Sequence, residues 1–125
     1  YDVQPAPALT IADSINVELP QDGRRALRAV YQTNGQILAV DEQMILTAAR
    51  LVAQHTGLFV EPASAVAFAG LISLVEHRQI SSGDRIVVVS TGTGLKDVQA
   101  VLRADPQPVP IQPTLEAVRD TLQRR

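Results

Sequence analysis

Cysteine and tryptophan are absent from this 125-residue sequence, and tyrosine and phenylalanine occur only twice each. Without cysteine, the chain can form neither a disulfide bond nor a thiolate metal site. The two histidines, His55 and His77, are too scattered to suggest metal ligation, so we expect no metal site. The chain therefore has few aromatic side chains on which nucleic-acid bases could stack.

Long apolar runs and clusters of basic residues are also missing. No apolar run reaches the roughly 18 residues that a membrane span requires, and the first ten residues lack the basic and apolar regions of a signal peptide. The formal net charge is −2, and basic residues adjoin only at Arg24-Arg25 and Arg124-Arg125, which gives no electrostatic case for a polyanionic partner. We therefore expect a cytoplasmic protein that binds neither membranes nor nucleic acid.

The residues that are present suit a folded core. Hydrophobic residues make up 46% of the chain, mostly Ala, Val, Leu and Ile, which predicts a globular domain rather than disorder. The length corresponds to one domain, so residues 1–125 are interpreted as a single unit.

A short apolar run, residues 86–89, passes directly into a turn with two glycines, residues 90–94, called the glycine turn below. Four successive apolar residues that end at such a turn predict a strand buried on both faces, as in a parallel sheet. Ligands of open α/β sheets bind beyond the carboxyl ends of strands, which is where Ser90 and Thr91 would lie. Their hydroxyls can donate or accept hydrogen bonds, and glycine allows close approach to a flat ligand. The glycine turn is therefore a candidate cofactor rim.

The remaining chain predicts alternating helices and strands. Helices are expected at residues 22–34, 41–57, 63–77 and 98–103 and around Leu115–Leu122, and strands at 36–40, 58–60 and 86–89. This order predicts an α/β fold, a three-layer partial domain with a mostly parallel sheet of three to four strands flanked by helices. The helix at 63–77 is apolar almost all round, more than so small a sheet would cover, which suggests that this chain is part of something larger.

Three blocks of sequence occur in an order and spacing typical of one enzyme family, and an upstream segment is similar to the same family. The blocks are Glu61-Pro62-Ala63-Ser64-Ala65 followed by Ala69-Gly70-Leu71, then Ser81-Ser82-Gly83-Asp84, then Val87 through Gly94 followed by Leu95-Lys96-Asp97; the upstream segment is Thr10-Ile11-Ala12-Asp13-Ser14-Ile15, before Glu18-Leu19-Pro20. Together these blocks resemble the C-terminal part of threonine synthase, a fold-type II enzyme that depends on pyridoxal phosphate. The resemblance implies conversion of O-phospho-L-homoserine and water to L-threonine and phosphate, with the cofactor as electron sink.

The resemblance also implies roles for individual residues. Thr91 would face the pyridine nitrogen of the cofactor, with Ser90 as the alternative partner. The residues that would lie near the cofactor are Ser90, Thr91, Gly92 and Glu61. Asp13 and Ser14 would lie on the substrate side.

Two elements of the family pattern are absent. The lysine that forms the Schiff base belongs to a Ser-Phe-Lys-Asp-like motif, and the cofactor phosphate is held by a glycine-rich loop; neither occurs here, and Lys96 is the only lysine. The glycine turn also lacks the arrangement of a P-loop. We therefore expect a C-terminal fragment without a catalytic residue, inactive alone. Its partners would be the missing N-terminal part, a small-molecule substrate and further copies in a homo-oligomer.

Other interpretations of the same residues stay open. Ser90 and Thr91 are common turn formers, and Glu61 suits the first turn of any helix because of the helix dipole. The chain could instead come from a related fold-type II enzyme such as a threonine or serine dehydratase. It could also be a non-catalytic binding module that kept the fold.

Overall fold

The structure is a computed structural model that describes residues 2–100 and 110–123. Four α-helices lie wholly within these ranges: α1 (Gly23–Gln32), α2 (Glu42–Thr56), α3 (Pro62–Glu76) and α4 (Leu115–Gln123). Residues 98–100 are also helical. Two short 3-10 turns lie at Asp13–Ile15 and Gly94–Lys96. The end of the helix predicted at 98–103 lies outside the described residues. None of the helices in the described ranges is both long enough and apolar enough to cross a membrane.

The predicted α/β class, with its three layers and mostly parallel sheet, is wrong. In the part of the chain that the structure describes, the segments predicted as strands form no sheet, and the isolated β-bridge found there pairs Val60 with Thr93 in the antiparallel sense. The β-branched composition of 86–89 indicates strand propensity, but a strand also needs a neighbouring backbone to pair with. Among residues 2–100 and 110–123, 86–89 finds no such neighbour, and Val87 is 89% exposed.

The core forms where α2 packs on α3. Asp41 is the N-cap of α2, as the sequence predicts. Its side chain accepts a hydrogen bond from the Met44 backbone N–H at 2.7 Å. At the other end, Gly57 adopts a left-handed conformation with φ of 75°, which glycine adopts without steric cost. Between these ends, apolar side chains recur at helical spacing and are buried, and their neighbours in the core are Val60 and Ala65. The buried residues of α2 are Ile45, Ala48 and Val52.

The helix α3 is apolar on more than the side that meets α2. Its residues Val66, Gly70 and Leu71 line an open groove of about 380 Å³, called the α3 groove below. Its other walls come from Ala67 and Leu74 of the same helix and from Gln36, Leu38, Val40, Ile80 and residues 86–89. Two of the three segments that were expected to form a sheet, 36–40 and 86–89, thus border this groove.

Replacing the N-cap of α2 by alanine should destabilise the fold. In the Asp41→Ala variant, the Met44 N–H loses its side-chain acceptor, and the free energy of unfolding should fall by about 1 kcal/mol. Urea denaturation followed by circular dichroism measures this. Asp22→Ala is the matched control, because Asp22 precedes α1 without a side-chain capping bond, and its effect should stay within about 0.5 kcal/mol. Equal losses in both variants would contradict the assignment of the cap.

Candidate functional site

The glycine turn is attached to the chain immediately before α3. The Glu61 N–H donates to the Gly92 carbonyl at 3.2 Å, and the Gly94 N–H donates to the Phe59 carbonyl at 2.9 Å. These two bonds flank the bridge between Val60 and Thr93. Because residues 59–61 lead directly into α3, the turn is held beside the first turn of that helix.

Ser64 makes the second attachment, and the sequence did not single it out as a functional residue. Its side chain is buried, with 1% exposure. The Ser64 Oγ accepts the Thr91 backbone N–H at 2.9 Å and lies 2.9 Å from the Ser90 Oγ. A signal was present, since Ser64 is the single hydroxyl residue in the otherwise apolar run 62–72. A buried polar atom in such a run needs partners, and here the glycine turn supplies them.

The two predicted hydroxyls of the glycine turn differ in their surroundings. The Ser90 hydroxyl is engaged by Ser64, whereas the Thr91 hydroxyl has no hydrogen-bond partner within the described ranges. Both residues line an open depression of about 490 Å³, whose other walls are residues 57–60, Gly92, Thr93 and Leu95; we call it the apolar depression. Thr91 is therefore the hydroxyl that remains available to a ligand.

Glu61 is a buried carboxylate, with 4% exposure, placed as the N-cap of α3. The Ser14 hydroxyl donates to its Oε2 at 3.2 Å, and the Lys96 Nζ lies 3.5 Å from the same oxygen. The positive end of the helix dipole also favours negative charge at this position. Glu61 thus joins three segments that are distant in sequence.

At two positions of the glycine turn, a residue larger than glycine would collide with other side chains of this chain. A Cβ at Gly92 would overlap with the Oε1 of Glu61. A Cβ at Gly94 would lie 2.6 Å from the Phe59 ring. The close approach predicted from the sequence is therefore made by side chains of this chain itself.

A second depression, of about 430 Å³, lies on the Glu61 side and is called the polar depression. Its polar lining residues include Thr10, Asp13, Ser14, Glu61, Lys96 and Asp97. The predicted site residues are thus divided: Ser90, Thr91 and Gly92 line the apolar depression, and Asp13, Ser14 and Glu61 line the polar one. The contact between Gly92 and Glu61 links the two. No group of three His, Cys, Asp or Glu side chains suited to a metal ion occurs in 2–100 or 110–123.

The residues present fit one part of pyridoxal phosphate. A flat heteroaromatic ring needs an apolar wall and a polar partner for its nitrogen, which the apolar depression and the Thr91 hydroxyl offer. A phosphate group needs several free backbone N–H groups. Within the described ranges, the N–H groups of Thr91 and Gly94 are already donated, as are those of Leu95 and Lys96, whereas those of Ser90, Gly92 and Thr93 have no acceptor. Lys96, in turn, is paired with Glu61.

Two comparisons with known proteins point to the same family. A family model described as pyridoxal-phosphate dependent enzyme matches residues 2–92. The threonine synthase of Methanocaldococcus jannaschii is 40% identical over 113 residues, which are 90% of this chain and 28% of that protein. The threonine synthase of Mycobacterium tuberculosis is 40% identical over 106 residues, 83% of this chain and 29% of that protein. The resemblance predicted from the sequence blocks is confirmed, and the chain spans less than a third of the length of these relatives.

Adding a single methyl group at Gly92 should disturb the site. In the Gly92→Ala variant, the new Cβ must displace the Glu61 carboxylate, so we expect the free energy of unfolding to fall by about 1 to 3 kcal/mol. Thermal denaturation measures the loss. Gly83→Ala is the matched control, because a Cβ there meets no atom within 4 Å. An alanine that is tolerated equally at both positions would show that Gly92 and Glu61 are not in contact.

Proposed function

This chain belongs to the pyridoxal-phosphate dependent enzymes, and from that premise we propose that it forms the cofactor-ring side of a threonine synthase active site. The proposed reaction converts O-phospho-L-homoserine and water to L-threonine and phosphate. Two observations support it: the relatives reported above are threonine synthases, and a turn with an unpartnered hydroxyl borders the apolar depression.

The Thr91 hydroxyl carries the proposal. Bound in the apolar depression, pyridoxal phosphate would supply an electron sink for the reaction. The Thr91 hydroxyl would bind the ring nitrogen, because it can donate or accept a hydrogen bond. A neutral hydroxyl, unlike a carboxylate, does not enforce protonation of that nitrogen. Ser90, the alternative partner, is less suited because its hydroxyl is already engaged by Ser64.

Glu61 and its partners have a different proposed task. The carboxylate is held by the Ser14 hydroxyl and by Lys96. It would fix the position of Gly92, the residue after Thr91, through the close contact between them. Asp13 and Ser14, which line the polar depression with Glu61, would face the substrate. Both residues are exposed and lie in a 3-10 turn.

The proposed partner is the rest of the same enzyme. It would supply the Schiff-base lysine, since Lys96 is paired with Glu61. It would also supply the phosphate cradle, since this sequence lacks the glycine-rich loop of the family pattern. The α3 groove and the exposed Val87 and Val89 offer an apolar surface for this contact. Burial of this apolar surface against a partner would stabilise the complex, because apolar surface is removed from water. We further propose that the complete enzyme is a homo-oligomer.

Replacing Thr91 by valine tests the proposal, because valine keeps the shape of the side chain and removes the hydroxyl. In the complete enzyme that contains this chain, Thr91→Val should raise the dissociation constant for pyridoxal phosphate about five- to tenfold, the effect of one hydrogen bond. Absorbance titration measures it, and phosphate release from O-phospho-L-homoserine measures activity.

Ser82→Ala is the matched control, with an expected change of less than about twofold, because Ser82 lines neither depression. A wild-type enzyme that releases ammonia from threonine or serine and no phosphate from O-phospho-L-homoserine would favour a dehydratase. An enzyme that does neither and does not bind the cofactor would favour a non-catalytic module.

A further inference from the structure

We propose that Ser64 is the positioning residue that aims the Thr91 hydroxyl at its ligand. The hydrogen bond from the Thr91 N–H to the Ser64 Oγ is independent of any function. The consequence for the cofactor rests on the function proposed above. Ser64 itself touches neither depression, so its effect would pass through Thr91.

The hydrogen-bonding capacity of Ser64 is directed at two neighbouring residues. A serine hydroxyl has one donor and two acceptor lone pairs. One lone pair accepts the Thr91 N–H, and a second bond joins the Ser64 Oγ to the Ser90 Oγ. With 1% exposure, Ser64 leaves water little access to compete for these bonds. The side chain therefore serves to bind the start of the glycine turn.

No other hydrogen bond in the described ranges holds this part of the turn. The backbone bonds of the glycine turn begin at Gly92 and continue at Gly94. Residues 86–89, which precede the turn, make no backbone hydrogen bonds within 2–100 or 110–123. Without Ser64, the peptide that carries Thr91 would be attached on its C-terminal side alone.

The platform that carries Ser64 is rigid. Ser64 lies in the first turn of α3, whose neighbouring residues Ala65 and Ala69 are fully buried, and α3 packs on α2. A side chain fixed on a packed helix holds its partner more accurately than a side chain on a loop. The backbone of Thr91 is thus fixed relative to the core, which restricts where its hydroxyl can point.

Two substitutions test this role. Ser64→Ala removes the hydroxyl, and Ser64→Cys replaces its oxygen by a larger sulfur that accepts hydrogen bonds weakly. Ser73→Ala is the matched control, since Ser73 lies on the same helix and contacts His77 rather than the glycine turn. Exchange of the Thr91 amide, measured by NMR on the 125-residue chain, reports the hydrogen bond without any cofactor. The amides of α2 report global stability.

In both Ser64 variants, the Thr91 amide should exchange about five- to tenfold faster relative to the α2 amides, and in Ser73→Ala its rate should not change. In the complete enzyme, the Ser64 variants should bind pyridoxal phosphate more weakly and should lower kcat with little change in KM. Unchanged Thr91 exchange would overturn the proposal. Faster exchange with unaltered cofactor binding would also overturn it, because the bond would then be structural only.

Failure of the proposed function gives a different result. If the wild-type enzyme binds no cofactor, the function proposed above fails and the positioning role falls with it. The change in Thr91 exchange would still be seen in that case, since it depends only on the Ser64 bond. The two failures are therefore distinguishable.

Discussion

The attachment of the glycine turn to the start of α3 is the interaction that holds the candidate cofactor-binding residues Ser90, Thr91 and Gly92 against the core. The helix contributes the Ser64 hydroxyl and the Glu61 N–H, which bond to Thr91 and Gly92 respectively. Because α3 is packed on α2, the turn is fixed relative to the core although residues 86–89 before it are largely exposed. The chemistry of this chain is thus positioned by a helix terminus.

The same attachment creates two separate surfaces. On one side, Thr91 lies beside the apolar walls formed by residues 57–60; on the other, the Glu61 carboxylate lies among Ser14 and Lys96. Gly92 stands between them, and a side chain there would displace the carboxylate. A buried carboxylate is costly unless it is hydrogen-bonded and paired, and Glu61 has both kinds of partner. The close contact therefore couples the polar side of the site to the apolar side.

The sequence predicted those features that are determined locally. The cap at Asp41, the stop at Gly57 and the Pro62 start each act within one helical turn, and the helices between them lie where the periodicity placed them. The sheet could not be predicted in the same way, because 86–89 has strand composition but finds no backbone to pair with among the described residues. Ser64 was missed because its role depends on contact with residues 26 and 27 positions away.

The central claim is that this chain provides the ring side of a cofactor site but not its covalent anchor. Titration of pyridoxal phosphate into the 125-residue chain, followed by absorbance and borohydride treatment, tests it most directly. We expect no borohydride-fixed band for the chain alone, and a band when the polypeptide that carries the Schiff-base lysine is added. A band fixed by borohydride on the chain alone would mean that Lys96, its sole lysine, or its terminal amine had bound the cofactor covalently. That result would contradict the account.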